Sequence, residues 1–124
     1  IYFSINYDGF FKFFPKHKDD QYVLKLFNKD QESDKGIGQK AVGKNCSQII
    51  NKLFSKSHRT FIFSSNWDVS KNKNFQNIFL DFCENVLEKN KISLDKWLNF
   101  RRENIRKNKS KLFLRNKDFL ALKL

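Results

Sequence analysis

The chain has 124 residues, 40% of them hydrophobic and 16% aromatic, a composition that excludes disorder of the whole chain. Lys and Arg number 25 against 13 Asp and Glu, and the resulting net charge of +12 is typical of a protein that binds a polyanion. The length indicates one domain, and four glycines, one proline and two cysteines exclude collagen-like and disulfide-scaffold proteins.

Membrane and metal chemistry find little support in the sequence. No apolar run approaches the roughly 18 residues that a membrane span needs, so we expect no membrane partner. Cys46 and Cys83 lie in no CxxC motif and have no His at zinc-ligand spacing, which predicts two free thiols. We therefore expect no metal and no cofactor.

The N-terminal part of the chain is predicted to form strands. Ile1–Tyr7 and Phe10–Phe14 are rich in aromatic and β-branched residues. Asp8 and Gly9 between them suit either a two-residue hairpin turn or a kink in one long strand. Tyr22–Phe27 is predicted to be a second strand, antiparallel to the first, and residues 28–39 to be a loop.

From Lys44 the apolar spacing becomes helical, as far as Phe54. Thr60–Phe63 is predicted to be a buried parallel strand. A second helix follows, and its apolar residues mark one face, whereas three later apolar residues suggest a last strand. The helix face comprises Phe75, Ile78, Phe79, Phe82, Cys83, Val86 and Leu87, and the strand residues are Ile92, Leu94 and Trp97.

The predicted fold class is α/β, a single domain with a mixed β-sheet in the order β-β-α-β-α-β and two helices packed on it. We predict a core domain at residues 1–98 and a basic, RNA-binding C-terminal tail at residues 99–124. The apolar residues at the end of the tail suggest a segment that docks on a neighbouring protein or on the core.

Basic residues are concentrated at the C-terminal end. Residues 96–124 hold ten basic side chains and two acidic ones, and four of the five arginines lie there. Such a segment repels itself unless it meets phosphate, so we expect it to become ordered on RNA. The candidate RNA-binding residues in this segment are Arg101, Arg102, Arg106, Lys107, Lys109, Lys111 and Arg115.

A second candidate is the glycine-containing segment from Lys35 to Lys44, just before a predicted helix. Glycines let a backbone approach a phosphate closely, and a helix N-terminus favours an anion. The segment therefore predicts a phosphate-binding loop with Lys35, Lys40 and Lys44, and the alternative is a flexible connection.

No constellation for catalysis is present. The predicted element order resembles nucleases of the ribonuclease-H type, for which Asp8, Asp68 and Glu84 would be the metal-binding carboxylates. Turn chemistry explains Asp8 better, and Glu84 lies beside the apolar stripe of its helix. We therefore expect neither an enzyme nor a small-molecule substrate.

The order of elements and several motifs resemble the family of small-subunit ribosomal protein eleven over residues 1–113. Tyr7–Phe10 stands where that family has Phe-Asn-Asn-Thr, and Cys46–Gln48 stands where it has Ala-Ala-Gln. Asn104 and Arg106 match the family's C-terminal motif, and a basic run at Lys107–Lys111 follows. Ser64–Ser70 departs from the family, which has a glycine-rich loop there.

This resemblance implies a non-catalytic structural protein of the small ribosomal subunit. Its partners would be the small-subunit rRNA and neighbouring proteins of the platform, with messenger RNA close by, and Asn104 would join the RNA-binding residues. The frequent Phe, Lys, Asn and Ile have A- and T-rich codons. That usage favours a mitochondrial ribosome, and a plastid is the alternative.

The sequence leaves two other interpretations open. Large-subunit ribosomal protein eighteen has the same type of fold, and Ala41–Gly43 and Glu84–Asn85 would suit it. An accessory subunit of an organellar membrane complex would bind protein instead of RNA, and its association would survive ribonuclease.

Overall fold

Six strands and four helices form the part of the chain that the computed structural model describes, residues 1–33 and 43–124. A short 3-10 turn at Gly43–Asn45 precedes the second helix. In chain order the elements are β1 Tyr2–Ile5, β2 Phe11–Phe14, α1 Asp20–Gln31, α2 Cys46–Phe54, β3 His58–Ser64, β4 Trp67–Asp68, α3 Lys73–Lys89, α4 Asp95–Arg106, β5 Lys111–Leu114 and β6 Lys117–Lys123.

The strands form two three-stranded sheets with the same arrangement. The first sheet has the order β1-β6-β3 and the second the order β2-β5-β4. Every one of these neighbouring pairs is antiparallel. Both sheets thus draw their strands from the same three chain segments, 1–14, 111–123 and 58–68, with 111–123 in the centre. The architecture is that of one long three-stranded sheet in which all three segments break at the same height, so that two shorter sheets result.

The interruption is closed by backbone hydrogen bonds between the three segments. The Asp8 amide donates to the Arg115 carbonyl over 2.5 Å, and the Ser65 amide donates to the Asn116 carbonyl over 3.0 Å. Gly9 takes a φ of +75°, which glycine adopts without steric cost. Because β1 and β2 lie in different sheets, Asp8 and Gly9 form a kink within one long segment. Of the two interpretations of this dipeptide, the kink is therefore confirmed.

Asp8 provides the electrostatic anchor of the kink. Its side chain is only 2% exposed, and its Oδ2 lies 3.0 Å from Lys117 Nζ and 3.5 Å from Arg115 Nε. The Ser47 hydroxyl donates to its other oxygen over 3.3 Å. A buried carboxylate is tolerated only when it is paired in this way. The pairing joins the N-terminal segment and α2 to the central segment.

The main core lies between the second sheet and three helices, α1, α3 and α4. Its phenylalanine rings meet mostly edge-to-face, as Phe11 does with Phe79 at a centroid distance of 4.9 Å. On the first sheet, Phe54 of α2 contacts Phe3 and Phe119. The buried residues of the main core are Phe11, Phe13, Val23, Phe27, Phe79, Leu80, Cys83, Val86, Leu87, Trp97, Leu98, Ile105, Leu112 and Leu114.

The chain is a single mixed α/β domain, as predicted, but the predicted strand at Tyr22–Phe27 is wrong. These residues lie in α1, where Val23 and Phe27 occupy one helical face and are buried in the core. Asp20 in the first turn accepts a hydrogen bond from Trp97 Nε1 over 2.8 Å. This hydrogen bond joins residues 77 positions apart along the chain and fixes α1 against α4.

The predicted last strand is also wrong, and so is the parallel pairing of the strand at Thr60–Phe63. Trp97 lies in α4, and Ile92 and Leu94 lie in the connection that leads to it. Residues 60–63 do form part of β3, but β3 pairs antiparallel with β6, and none of its side chains is buried, with Ile62 and Phe63 exposed. The element order therefore differs from β-β-α-β-α-β. The predicted single mixed sheet with two helices is also wrong, since the described residues form two antiparallel sheets and four helices. The two predicted helices at residues 44–54 and 75–87 are confirmed as α2 and α3.

Residues 99–124 belong to the fold. The boundary that we predicted between residues 98 and 99 falls inside α4, and β5 and β6 are the central strands of both sheets. The physical reason is the alternation of buried side chains, with Leu112 and Leu114 on one strand and Phe119 and Ala121 on the next. Of the apolar residues for which we predicted docking on a neighbouring protein or on the core, Leu112, Leu114 and Phe119 are buried in the fold, whereas Leu122 and Leu124 are exposed.

Candidate nucleic-acid interface

The predicted phosphate-binding loop cannot be placed. Lys35 and Lys40 lie outside the described residues, and of Lys44 only the backbone, in the 3-10 turn, is described. The interface is therefore built from α4 and the residues that follow it.

Arg101 is a core residue instead of a surface cation. Its side chain is 0% exposed, and one guanidinium nitrogen reaches both oxygens of Asp20 at 2.6 and 2.7 Å. Another donates to the Pro15 carbonyl over 2.6 Å. The guanidinium also lies 5.0 Å from the Phe13 ring centroid. Burial lowers the pKa of Arg101 and the carboxylate opposes that shift, so the pair holds α4 to α1.

Arg102 forms ion pairs with the neighbouring helix. Its guanidinium lies 2.9 Å from Asp81 and 2.8 Å from Glu84, both on α3. The hydrogen bond to Asp81 is the main cause of the raised pKa of Arg102. This ion-pair cluster leaves little positive field for a ligand, and it contributes to the contact between α3 and α4.

Arg106 and Lys107, at the end of α4, share one acid. Glu103 lies 2.6 Å from Arg106 Nη2 and 3.3 Å from Lys107 Nζ. Hydrogen bonds from Arg106 and then Lys107 lower the pKa of Glu103 from 4.5 to about 2. All three side chains are exposed, so solvent screens the pairs and the group keeps a net positive charge.

Lys109 and Lys111 are exposed, and within the described part of the chain neither forms an ion pair. They border an open groove of about 640 Å³ whose floor is Phe14, Pro15 and Phe113. Asn104 forms another side of the groove, and its amide donates to the Phe100 carbonyl over 2.8 Å. We call Asn104, Arg106, Lys107, Lys109 and Lys111 the basic surface.

Arg115 lies apart from the basic surface, at the interruption of the sheets. Its Nε donates to the Asp8 carbonyl over 2.7 Å, and its guanidinium carbon lies 5.7 Å from the Phe10 ring centroid. Five of the eight candidates from residues 101–115 are thus brought together, and Arg101, Arg102 and Arg115 are engaged within the fold.

The outer face of the second sheet continues the basic surface, and the sequence reasoning missed it. Lys12 is the register partner of Phe113, and Phe14 is the register partner of Lys111. The four side chains form a checkerboard of two cations and two rings on the face opposite the core. Alternation in Phe11–Phe14 and in Lys111–Leu114 was the signal that could have found them, since it places a Lys on the face opposite the buried residues.

The carboxylates that a metal nuclease would need are dispersed. Asp8 is buried at the kink, Glu84 pairs with Arg102, and Asp68 lies exposed on β4. Across residues 1–33 and 43–124, no three His, Cys, Asp or Glu side chains are grouped so that they could hold a metal ion. In the same residues no helix combines the length and the apolar character that crossing a membrane requires.

Comparison with known proteins gives no assignment. No model of a known protein family matches the chain, and no curated protein matches it in sequence.

Proposed function

We propose that the protein binds RNA through the basic surface, as a non-catalytic structural component of a ribonucleoprotein. The observation that carries the proposal is the excess of cations there. Arg106, Lys107, Lys109 and Lys111 are exposed and contiguous, and Glu103 is the one acid paired with them among the described residues. Unpaired lysines neutralise phosphates and release counterions, which makes binding favourable and strongly dependent on salt.

The particular particle in this proposal is the small subunit of a mitochondrial ribosome, with small-subunit rRNA as the ligand. Its support is the resemblance at the C-terminal end, because the matched residues Asn104 and Arg106 and the three lysines of the run Lys107–Lys111 lie on the basic surface. The strand and helix order, which also suggested the family, differs in the structure. The codon usage supports the organelle.

The RNA proposal is tested by the salt dependence of binding. The purified full chain is titrated with a small-subunit rRNA fragment at several salt concentrations, as wild type and as Lys109→Gln/Lys111→Gln. Each phosphate contact removed lowers the magnitude of the slope of log K against log salt by about 0.7 to 0.9, so the double variant should lower it by about 1.4 to 1.8. A slope unchanged by the double substitution would contradict the proposal.

The matched control is Lys52→Gln/Lys56→Gln, which removes the same charge near α2, beside the first sheet. Its slope should stay within experimental error of the wild-type value. If both double variants lower the slope equally, net charge and not the basic surface determines binding.

The ribosomal assignment is tested by sedimentation of the native protein from an organelle lysate, with and without ribonuclease. The assignment is supported if the protein co-migrates with small-subunit rRNA and if ribonuclease digestion abolishes this co-migration. Co-migration with the large subunit, or ribonuclease-resistant migration with a membrane complex, overturns it.

A further inference from the structure

We infer that the outer face of the second sheet stacks an unpaired base of a single-stranded RNA segment. This inference rests on the proposed function and names the form of RNA and the place where it is recognised. We call Lys12, Phe14, Lys111 and Phe113 the stacking face.

The rings of the stacking face are accessible and set at an angle. Phe14 and Phe113 are both partly exposed, and their centroids lie 6.0 Å apart with an interplanar angle of 89°. The described helices α1, α3 and α4 pack on the opposite, core side of this sheet. Two rings at right angles line a concave corner, in which a flat base can lie on one ring and touch the edge of the other.

Positive charge surrounds these rings. Lys12 Nζ lies 4.7 Å from the Phe14 ring centroid, and Lys109 and Lys111 border the same groove. Asp68 is the acid beside Phe113 in the register, on the far strand β4. A ligand that occupies this face must be flat and apolar at its centre and negative at its edges. A nucleotide in a single strand has this chemistry, since its base stacks on a ring and its phosphates meet the lysines.

The outer face of the first sheet also carries accessible rings, but it has fewer cations beside them. Its rings, Phe61 and Phe63, have one described cation beside them, Arg59, whose guanidinium carbon lies 5.3 Å from the Phe61 ring centroid. Their other neighbours are the aliphatic Leu120 and Leu122 and the acid Asp118. The rings of the stacking face have three lysines around them, Lys12, Lys109 and Lys111. Charge complementarity to RNA therefore favours the stacking face. An A-form duplex has its bases stacked and paired, so it offers no free base to either face.

The test uses the purified full chain and a single-stranded RNA oligonucleotide with one 2-aminopurine, whose fluorescence falls when it stacks. A blunt RNA duplex of the same length is the second probe. Phe113→Leu keeps the apolar volume and removes the ring, and it should weaken single-strand binding at least about fivefold, the lower end of the effect of one stacked base. Duplex binding should change less than twofold.

Controls separate the stacking from folding and from charge. Phe113→Tyr keeps a ring and should retain wild-type affinity and quenching, and Phe14→Leu serves if Phe113→Leu fails to fold. Phe63→Leu removes an exposed ring on the first sheet and should change neither affinity. Equal weakening by Phe63→Leu would overturn the location.

The outcomes distinguish this inference from the proposed function. If Phe113→Leu and Phe14→Leu leave single-strand binding unchanged while Lys109→Gln/Lys111→Gln weakens it, the stacking is wrong and the proposed function stands. If wild type binds neither probe, both are wrong. Polyglutamate is the competitor that tests for an acidic peptide. If it displaces the oligonucleotide, and if the binding of polyglutamate depends on Phe113, the face accepts an acidic peptide and the inference is overturned.

Discussion

At the scale of single residues, the two neighbouring arginines of α4 show how sequence position misleads. Arg101 and Arg102 belong to the same basic segment, yet one is fully buried against Asp20 and the other pairs with α3. The sequence predicts their charge but not their partners, because those acids lie 81 and 21 positions away along the chain. A helical wheel anchored on Trp97 and Leu98 would have placed Arg101 towards the core.

Replacing Arg101 should therefore affect stability and not RNA affinity. Arg101→Ala leaves the Asp20 carboxylate without its buried partner, and the free energy of unfolding should fall by about 3–5 kcal/mol. Arg106→Ala, at an exposed site whose ion pair is screened by solvent, should leave it close to the wild-type value. Urea unfolding measures both. A variant of Arg101 as stable as wild type but weaker in RNA binding would return this residue to the interface.

The ion pairs of Glu103 predict a specific dependence on pH. The pKa of this carboxyl in the folded chain is about 2, below its ordinary value of 4.5, because Arg106 and Lys107 stabilise the charged form. Their stabilisation of the end of α4 is therefore fully present above pH 4.5 and is lost as the pH falls through 2.

An NMR titration of the Glu103 side-chain carboxyl measures this directly. The midpoint should lie near 2 in wild type and move towards 4.5 in Arg106→Gln. A midpoint that is the same in both proteins would show that the pairs do not form in solution.

At the scale of elements, helices were easier to predict than strand partners. The apolar spacing of α2 and α3 was enough to locate both. In α1, Val23 and Phe27 have the same four-residue spacing, but the β-rich run Tyr22–Phe27 suggested a strand. Tertiary packing overrides this local preference, since both residues are buried beside rings of α3 and the second sheet. The alternation within β2 and within β5 indicates which side chains share a face, but it does not indicate that these two distant strands pair with each other, on which the checkerboard of the stacking face depends.

The orientation of α3 can be tested with two neighbouring substitutions. We predicted one apolar face from Phe75 to Leu87, but the structure buries Phe79 at 6% exposure and leaves Phe82 55% exposed. Phe79→Ala should lower the free energy of unfolding by about 3–5 kcal/mol, because it opens a cavity in the core. Phe82→Ala should lower it by less than about 1 kcal/mol. Thermal and urea unfolding of the two variants measure these losses. Equal losses of unfolding free energy in Phe79→Ala and Phe82→Ala would contradict the orientation.

At the scale of the whole molecule, the predicted division into a core and a tail does not match the architecture. The composition of residues 99–124 is that of an appendage, but β5 and β6 are central in both sheets. In this segment the charged side chains and the core side chains lie on opposite faces, because strand alternation directs Leu112 and Leu114 inward and Lys111 outward. A segment can therefore bind a polyanion on one side and complete a core on the other.

Truncation gives the corresponding prediction. A chain of residues 1–98 lacks both central strands and part of α4, so it should show no cooperative unfolding transition by circular dichroism. Removal of Leu124 alone, whose side chain is 83% exposed and whose amide donates one hydrogen bond to the Ser57 carbonyl over 3.3 Å, should keep a cooperative transition. A cooperative transition in the 1–98 fragment would restore the division at residue 98.

The central position of 111–123 also has a consequence for the order of events during synthesis. A ribosome makes this segment after the two that flank it, so both outer segments emerge with no strand to pair with. Every strand pairing then joins positions that are distant along the chain, and such long-range closure is slow. Until then, the rings of the N-terminal segment are exposed to other chains, and rapid capture by a chaperone would protect the nascent protein from aggregation.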